Sequence, residues 1–113
     1  MHEQSIVESL LALALENAEK AKANKILSIY LVVGELSGVV EDSVEFYFSF
    51  LSRGTIAAEA KLFFMHIPAQ LRCRDCNTIF TPEKNNFNCP KCNEQHVEIV
   101  SGRELYIDSL DVE

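Results

Sequence analysis

Four cysteines fall in two tight pairs, Cys73-Arg-Asp-Cys76 and Cys89-Pro-Lys-Cys92, with twelve residues between the pairs. A C-x-x-C turn brings two sulfurs to one side of a short loop, and a connection of this length lets two such turns face each other. Four thiolates then form a tetrahedron suited to one Zn(II) ion, with sulfurs at about 2.3 Å from the metal. Each pair is followed by an asparagine, Asn77 or Asn93, a residue that tolerates the left-handed backbone such turns use. Arg72, Arg74 and Lys91 stand close enough in sequence to offset residual negative charge. A rubredoxin-like iron centre, a redox dithiol or paired disulfides would use the same residues. Without a basic secretory leader, thiolates on a metal are favoured over disulfides. Four sulfur ligands leave no position open for water or substrate, so zinc here is structural. His96, four residues after Cys92, and His66, inside an apolar run, read as ordinary surface or packed histidines.

The other chemistry lies at the amino terminus, Met1-His2-Glu3. With histidine second, the Met1 amine, the His2 amide nitrogen and the His2 imidazole can close fused five- and six-membered chelate rings on one ion. The Glu3 amide or carboxylate can supply a fourth ligand. Amides ahead of a helix and in its first turn have no intrahelical acceptor and are free for such use. Amidates would also neutralise a cation placed beside the positive end of the helix. Square-planar nitrogen coordination suits Ni(II) or Cu(II). On its own, a histidine in second position is equally the frayed end of a chain.

These residues need elements to position them. Ser5-Ile-Val-Glu8 has capping-box spacing, and Ile6, Val7, Leu10, Leu11, Ala14 and Ala18 recur at helical intervals, which predicts a helix from near Ser5 to about Ala23. The branched run 26–33, with Leu27, Ile29, Leu31 and Val33 on one face, predicts a central strand ended by Gly34. Acidic Glu41, Asp42 and Glu45 open a second helix over 40–53, with a buried stripe of Val40, Val44, Tyr47 or Phe48, and Leu51, closed by Gly54. Residues 61–67 and 104–112 alternate as strands. Between them, 69–101 is rich in cysteine and asparagine and poor in large apolar side chains. About 33 residues of that composition cannot build a core, and zinc substitutes for it. The expected fold is α+β: two helices on a small mixed sheet, with a zinc ribbon inserted before the last strand. Residues 1–68, completed by strand 102–113, form one domain and 69–101 the other.

Charge narrows the function. The formal net charge is −7: residues 1–68 carry nine acids and five bases, 69–101 four of each, and 102–113 four acids and one base. No segment is net basic, so nucleic acid is not an expected partner, and a protein partner should present basic groups. The apolar run Leu10 to Leu15 is too short to insert in a membrane. The cytoplasm is the expected compartment. No nucleophile–base pairing, phosphate loop or open metal position marks an enzyme.

Met1-His2-Glu3, the passage Val33-Gly34-Glu35-Leu36-Ser37-Gly38-Val39 and the late pair of C-x-x-C turns together resemble the HypA family of nickel metallochaperones of [NiFe]-hydrogenase maturation. The similarity spans essentially the whole chain. It implies a nickel carrier with two sites. Nickel, a transient cargo, sits at His2 with the Met1 amine and the His2 and Glu3 amides; structural zinc sits at Cys73, Cys76, Cys89 and Cys92. It further implies delivery to the hydrogenase large subunit, with the GTPase HypB as co-worker, and in some members service to urease. Asp42 falls where the family often carries an acid near the nickel. The local Val40-Glu41-Asp42-Ser43 departs from the usual Pro-Glu-Ala type of helix start, and Asn93 stands where glycine is frequent. The alternative function is a zinc-ribbon adaptor or nucleic-acid-binding factor with no metal role at its ends.

Overall fold

A computed structural model describes residues 3–83 and 86–113. The elements run α1 (Glu3–Lys20), β1 (Ile26–Gly34), α2 (Glu41–Leu51), β2 (Lys61–Ile67), β3 (Gln70–Cys73), β4 (Ile79–Phe80), β5 (Val97–Ser101) and β6 (Leu105–Val112). Two three-stranded sheets result, ordered β2-β1-β6 and β4-β3-β5. The chain divides into two compact units. The first comprises residues 1–32, 38–65 and 105–113, and the second residues 33–37 and 66–104.

In the first unit α1 packs against α2 and β6. It buries Val7, Leu11, Ala14 and Ala18, the three-and-four spacing that aligns one helical face. The helix begins at Glu3, two residues before the expected start. Ser5 therefore lies inside the helix and not at its N-cap, and the Glu8 carboxylate accepts from the Gln4 side chain at 3.3 Å. Its carboxyl end falls at Lys20 because Lys22 turns left-handed, at φ 56°. Ala23 N then donates to Ala18 O and Lys22 N to Glu19 O, both at 2.9 Å, so the end is a Schellman cap without glycine.

β1 is the middle strand, as its apolar run predicts, and Ile26, Ile29, Leu31 and Val32 are buried on its two faces. Leu27, expected on the covered face, is 38% exposed. In α2 the covered residues are Val44 and Phe48; Val40, expected in the stripe, is instead the extended N-cap residue and 54% exposed. The outer face of the sheet carries a stacked pair, Tyr30 on Phe63, with ring centroids 5.1 Å apart. The Tyr30 hydroxyl donates to Asp111 at 2.8 Å. No helix among the described residues is long and apolar enough to cross a membrane.

In the second unit β3 pairs antiparallel with β4 and with β5. None of these three short strands follows from composition. Residues 33–37 belong here because they are stitched to both ends of the cysteine-bearing segment. Glu35 N donates to Ile67 O at 2.9 Å, Leu36 N to Gly102 O at 2.6 Å, and Ala69 N to the Glu35 carboxylate at 2.9 Å. Gly34 N reaches Glu104 O at 2.7 Å. A Cβ on Gly34 would stand 2.1 Å from Gly102 O, so glycine is required by the close passage of two backbones.

Candidate metal centre

β3 ends at Cys73, and the first knuckle turns immediately after it. Asn77 N donates back to Cys73 O at 2.8 Å, and in the second knuckle Asn93 N donates to Cys89 O at the same distance. Both asparagines are left-handed, at φ 60° and 61°. Their amides thus close the turns through the carbonyl of each leading cysteine, while Lys91 N points at the Cys89 sulfur, 3.4 Å away.

The four Sγ atoms lie within 4.8 Å of one another. Cys73 stands 3.5 Å from Cys92, and Cys76 stands 3.5 Å from Cys89, so the contacts link one knuckle to the other. All four cysteines are free thiols. Sulfurs at about 2.3 Å around a tetrahedral ion would be separated by about 3.8 Å, close to the two 3.5 Å contacts and inside the 4.8 Å span of the four, so this donor set fits a tetrahedral metal. Cys73 and Cys89, which lead the knuckles, are buried, whereas Cys92 is exposed.

Electrostatics favours a cation at this point. The Cys76 thiol donates to the Thr78 hydroxyl at 3.2 Å; once ionised it accepts from that hydroxyl, and the Thr78 side chain and backbone together hold the thiol down at about 6. At Cys92 a backbone hydrogen bond from Glu94 pulls in the same direction, but the neighbouring Cys73 and loss of hydration outweigh it and push the thiol up to about 12. The first thiolate forms readily, and the last is opposed by charge already gathered. A divalent ion removes that opposition and lets all four ionise.

The neighbouring charges are used in a way that their positions in the sequence do not show. Arg72 and Arg74 both turn to Glu98 on β5, Arg74 Nε at 3.8 Å, instead of being committed to the sulfurs. His96 is exposed, with Nδ1 3.1 Å from Asp75 Oδ2. His66 is an exposed residue of β2 at the edge of its sheet. The spacing of Thr78, two residues past Cys76, was the one readable sign of its role.

At the other candidate site, Met1 and His2 lie outside the described residues. Glu3 opens α1, and its carboxylate accepts from Val40 N, the N-cap residue of α2, at 3.4 Å. The start of α1 is thereby joined to the start of α2. Asp42, in the first turn of α2, is exposed.

A family model described as "Hydrogenase/urease nickel incorporation, metallochaperone, hypA" matches residues 1–112. The chain belongs to the HypA family. It is 47% identical over 113 residues to the hydrogenase maturation factor HypA of Dehalococcoides mccartyi (strain 195), covering 100% of this chain and 95% of that one. To the hydrogenase maturation factor HypA of Caldanaerobacter subterraneus subsp. tengcongensis it is 40% identical over 114 residues, with both chains covered in full. Among solved structures it is similar to the solution structure of the Ni metallochaperone HypA from Helicobacter pylori, with TM-score 0.70, 32% identity, and 99% and 97% of the two chains covered. A further HypA solution structure gives TM-score 0.76 at 31% identity, with 100% and 97% covered. HypA is thus a family of nickel-incorporation metallochaperones and maturation factors for hydrogenase and urease, and the α+β fold with a four-cysteine ribbon is the HypA fold. Within it, the Val33-to-Val39 passage has a physical task on this chain, since Glu35 and Leu36 tie down both ends of the ribbon segment.

Proposed function

We propose that this HypA protein carries Ni(II) at its amino terminus, through His2, the Met1 amine and the His2 and Glu3 amides, and holds Zn(II) separately at Cys73, Cys76, Cys89 and Cys92. The observation that carries the reading is the family match from residue 1 onward, which includes Met1-His2-Glu3. The Glu3 contact to Val40 is in keeping with it, since it gives the Glu3 carboxylate a partner of its own at the start of α2 while the amide is the ligand the resemblance implies. On this reading residues 1–68 with 102–113 serve nickel and 69–101 serve zinc, although residues 33–37, 66–68 and 102–104 pack with the cysteine-bearing unit. The zinc is structural and the nickel is cargo, passed to the hydrogenase large subunit with HypB as co-worker, in the cytoplasm, and in urease-containing cells to urease as well. The protein catalyses no reaction of its own.

Isothermal titration of untagged protein with Ni(II) tests this. Methionine aminopeptidases act before small residues, so Met1 is retained ahead of histidine and its amine remains in register. His2→Ala should abolish tight nickel binding with zinc content unchanged, and a residue added before Met1 should weaken it. Protons compete for an amine that titrates near ~7.8 and an imidazole near ~6.5 in reference peptides, so affinity should fall as pH drops. Equal tight binding by wild type and His2→Ala would overturn the assignment.

A further inference from the structure

The ribbon bears a second group of metal-ligating side chains beside its sulfurs. Asp75, Glu94 and His96 are all exposed and place one ligand atom each within 4.8 Å of the others. His96 Nδ1 and Asp75 Oδ2 are already 3.1 Å apart.

Three backbone constraints hold these residues together. Asp75 lies inside the first knuckle, between Cys73 and Cys76. Arg74 N donates to His96 O at 2.7 Å, which fastens that knuckle to the residue just before β5. Cys89 N donates to Glu94 O at 2.9 Å, and left-handed Asn93 precedes Glu94, which fixes the third residue to the second knuckle. The turns that gather four sulfurs therefore also gather two carboxylates and an imidazole.

Among the described residues, no lysine or arginine pairs with Asp75 or Glu94, and Asp75 meets only His96 of the same group. Arg72 and Arg74, the nearest bases in sequence to Asp75, are engaged with Glu98. Among the described residues, the Glu94 side chain makes no ion pair or hydrogen bond. Four thiolates on one divalent ion would leave a further net charge of about −2 next to it. Imidazole with carboxylates is a donor set for borderline first-row divalent ions.

We propose that Asp75, Glu94 and His96 form a second, exchangeable site for a borderline divalent ion such as Ni(II) or Co(II). It rests on the four-cysteine reading for its rigidity and is independent of the amino-terminal one. Three protein ligands leave positions for water, so the ion enters and leaves without disturbing the fold.

The test uses full-length, zinc-loaded protein titrated calorimetrically with Ni(II). His2→Ala protein should still take up one equivalent, more weakly than the amino terminus of wild type. That equivalent should vanish in His2→Ala/His96→Ala and in His2→Ala/Asp75→Asn/Glu94→Gln, the latter chosen because its replacements keep the shape of both side chains. Co(II) added to the His2→Ala protein should broaden the His96 ring signals in NMR spectra. Uptake by His2→Ala that is unchanged in both further variants, or no uptake at all, overturns the proposal. Zinc measured on the same samples reports separately on the cysteine site, and wild type against His2→Ala reports on the amino-terminal one.

Discussion

The two units are held together by different means. The first has a continuous apolar interior: Val7, Leu11, Ala14 and Ala18 of α1, Ile29 and Leu31 of β1, and Val44 and Phe48 of α2 are all buried. Among the described residues of the second, the buried hydrophobic ones are Val33, Ala69 and Leu71 together with Cys73 and Cys89. Apolar burial contributes roughly 25 cal/mol per Å², so a unit with so few large side chains gains little from it. Thiolates on a metal, by contrast, supply their energy at one point. The contrast teaches that a small chain can set an apolar core beside a unit in which four clustered cysteines, able to hold a metal ion, stand where large apolar side chains are few.

Metal removal should produce the largest effect and should divide the molecule along that line. Structural zinc contributes about 10–16 kcal/mol in comparable peptides at neutral pH. A strong chelator, or Cys73→Ala, should collapse the NMR dispersion of residues 66–104 while the helical circular dichroism of α1 and α2 survives. Loss of both signals together would show that the first unit does not stand without the ion.

The converse experiment targets the apolar core. Ile29 is buried to 2% exposure, and Ile29→Ala should cost about 2–5 kcal/mol through lost transfer energy and the cavity left behind. Denaturant unfolding followed by helical signal should register that loss, with zinc content unchanged. A variant that instead loses zinc at ordinary stability would reverse the assignment of roles.

A smaller effect is expected where the second unit depends on backbone fit. Gly34→Ala puts a methyl 2.1 Å from Gly102 O, where backbone must move, at a cost of about 1–3 kcal/mol. Hydrogen exchange should speed up at the amides of Leu36 and Gly34. Unchanged protection there would mean the passage does not clasp the ribbon segment.

The smallest effect should be a surface one in the first unit. The hydrogen bond to Asp111 leads the causes that raise the Tyr30 phenol above the usual tyrosine range. A raised folded-state value means that the contribution is intact below the ordinary tyrosine pKa of about 10 and is lost as pH rises through the folded-state value. Absorbance titration should show one late-ionising tyrosine, returned toward ordinary behaviour by Asp111→Asn.

Much of this arrangement was legible in the chain because strong local patterns govern it. The run 26–33 has branched residues on both faces, as a central strand must, and β1 is central. The two C-x-x-C turns bring their sulfurs together because each turn is built from its own short segment. The rest was set by local competition between similar side chains, by a backbone turn, or by distant partners. The spacing pairs Glu8 with Ser5, but Gln4 takes its carboxylate. Lys22 shortens α1 by adopting a conformation for which nothing in its type argues. Strands β3, β4 and β5 are a few residues long and owe their pairing to the knuckles between them. The role of Glu35 as an acceptor for Ala69, 34 residues away, has no local signature. Of the amino-terminal site, Glu3 is described and meets Val40, while Met1 and His2 lie outside the described residues.

The central claim is that nickel and zinc occupy chemically separate sites, one built of nitrogen at the amino terminus and one of sulfur in the ribbon. X-ray absorption at both metal edges, on wild-type protein carrying one Zn(II) and one Ni(II), tests it most directly. Zinc should show four sulfur neighbours at about 2.3 Å, and nickel only nitrogen and oxygen neighbours. Sulfur in the nickel shell, or a zinc shell dominated by nitrogen and oxygen, would contradict the account.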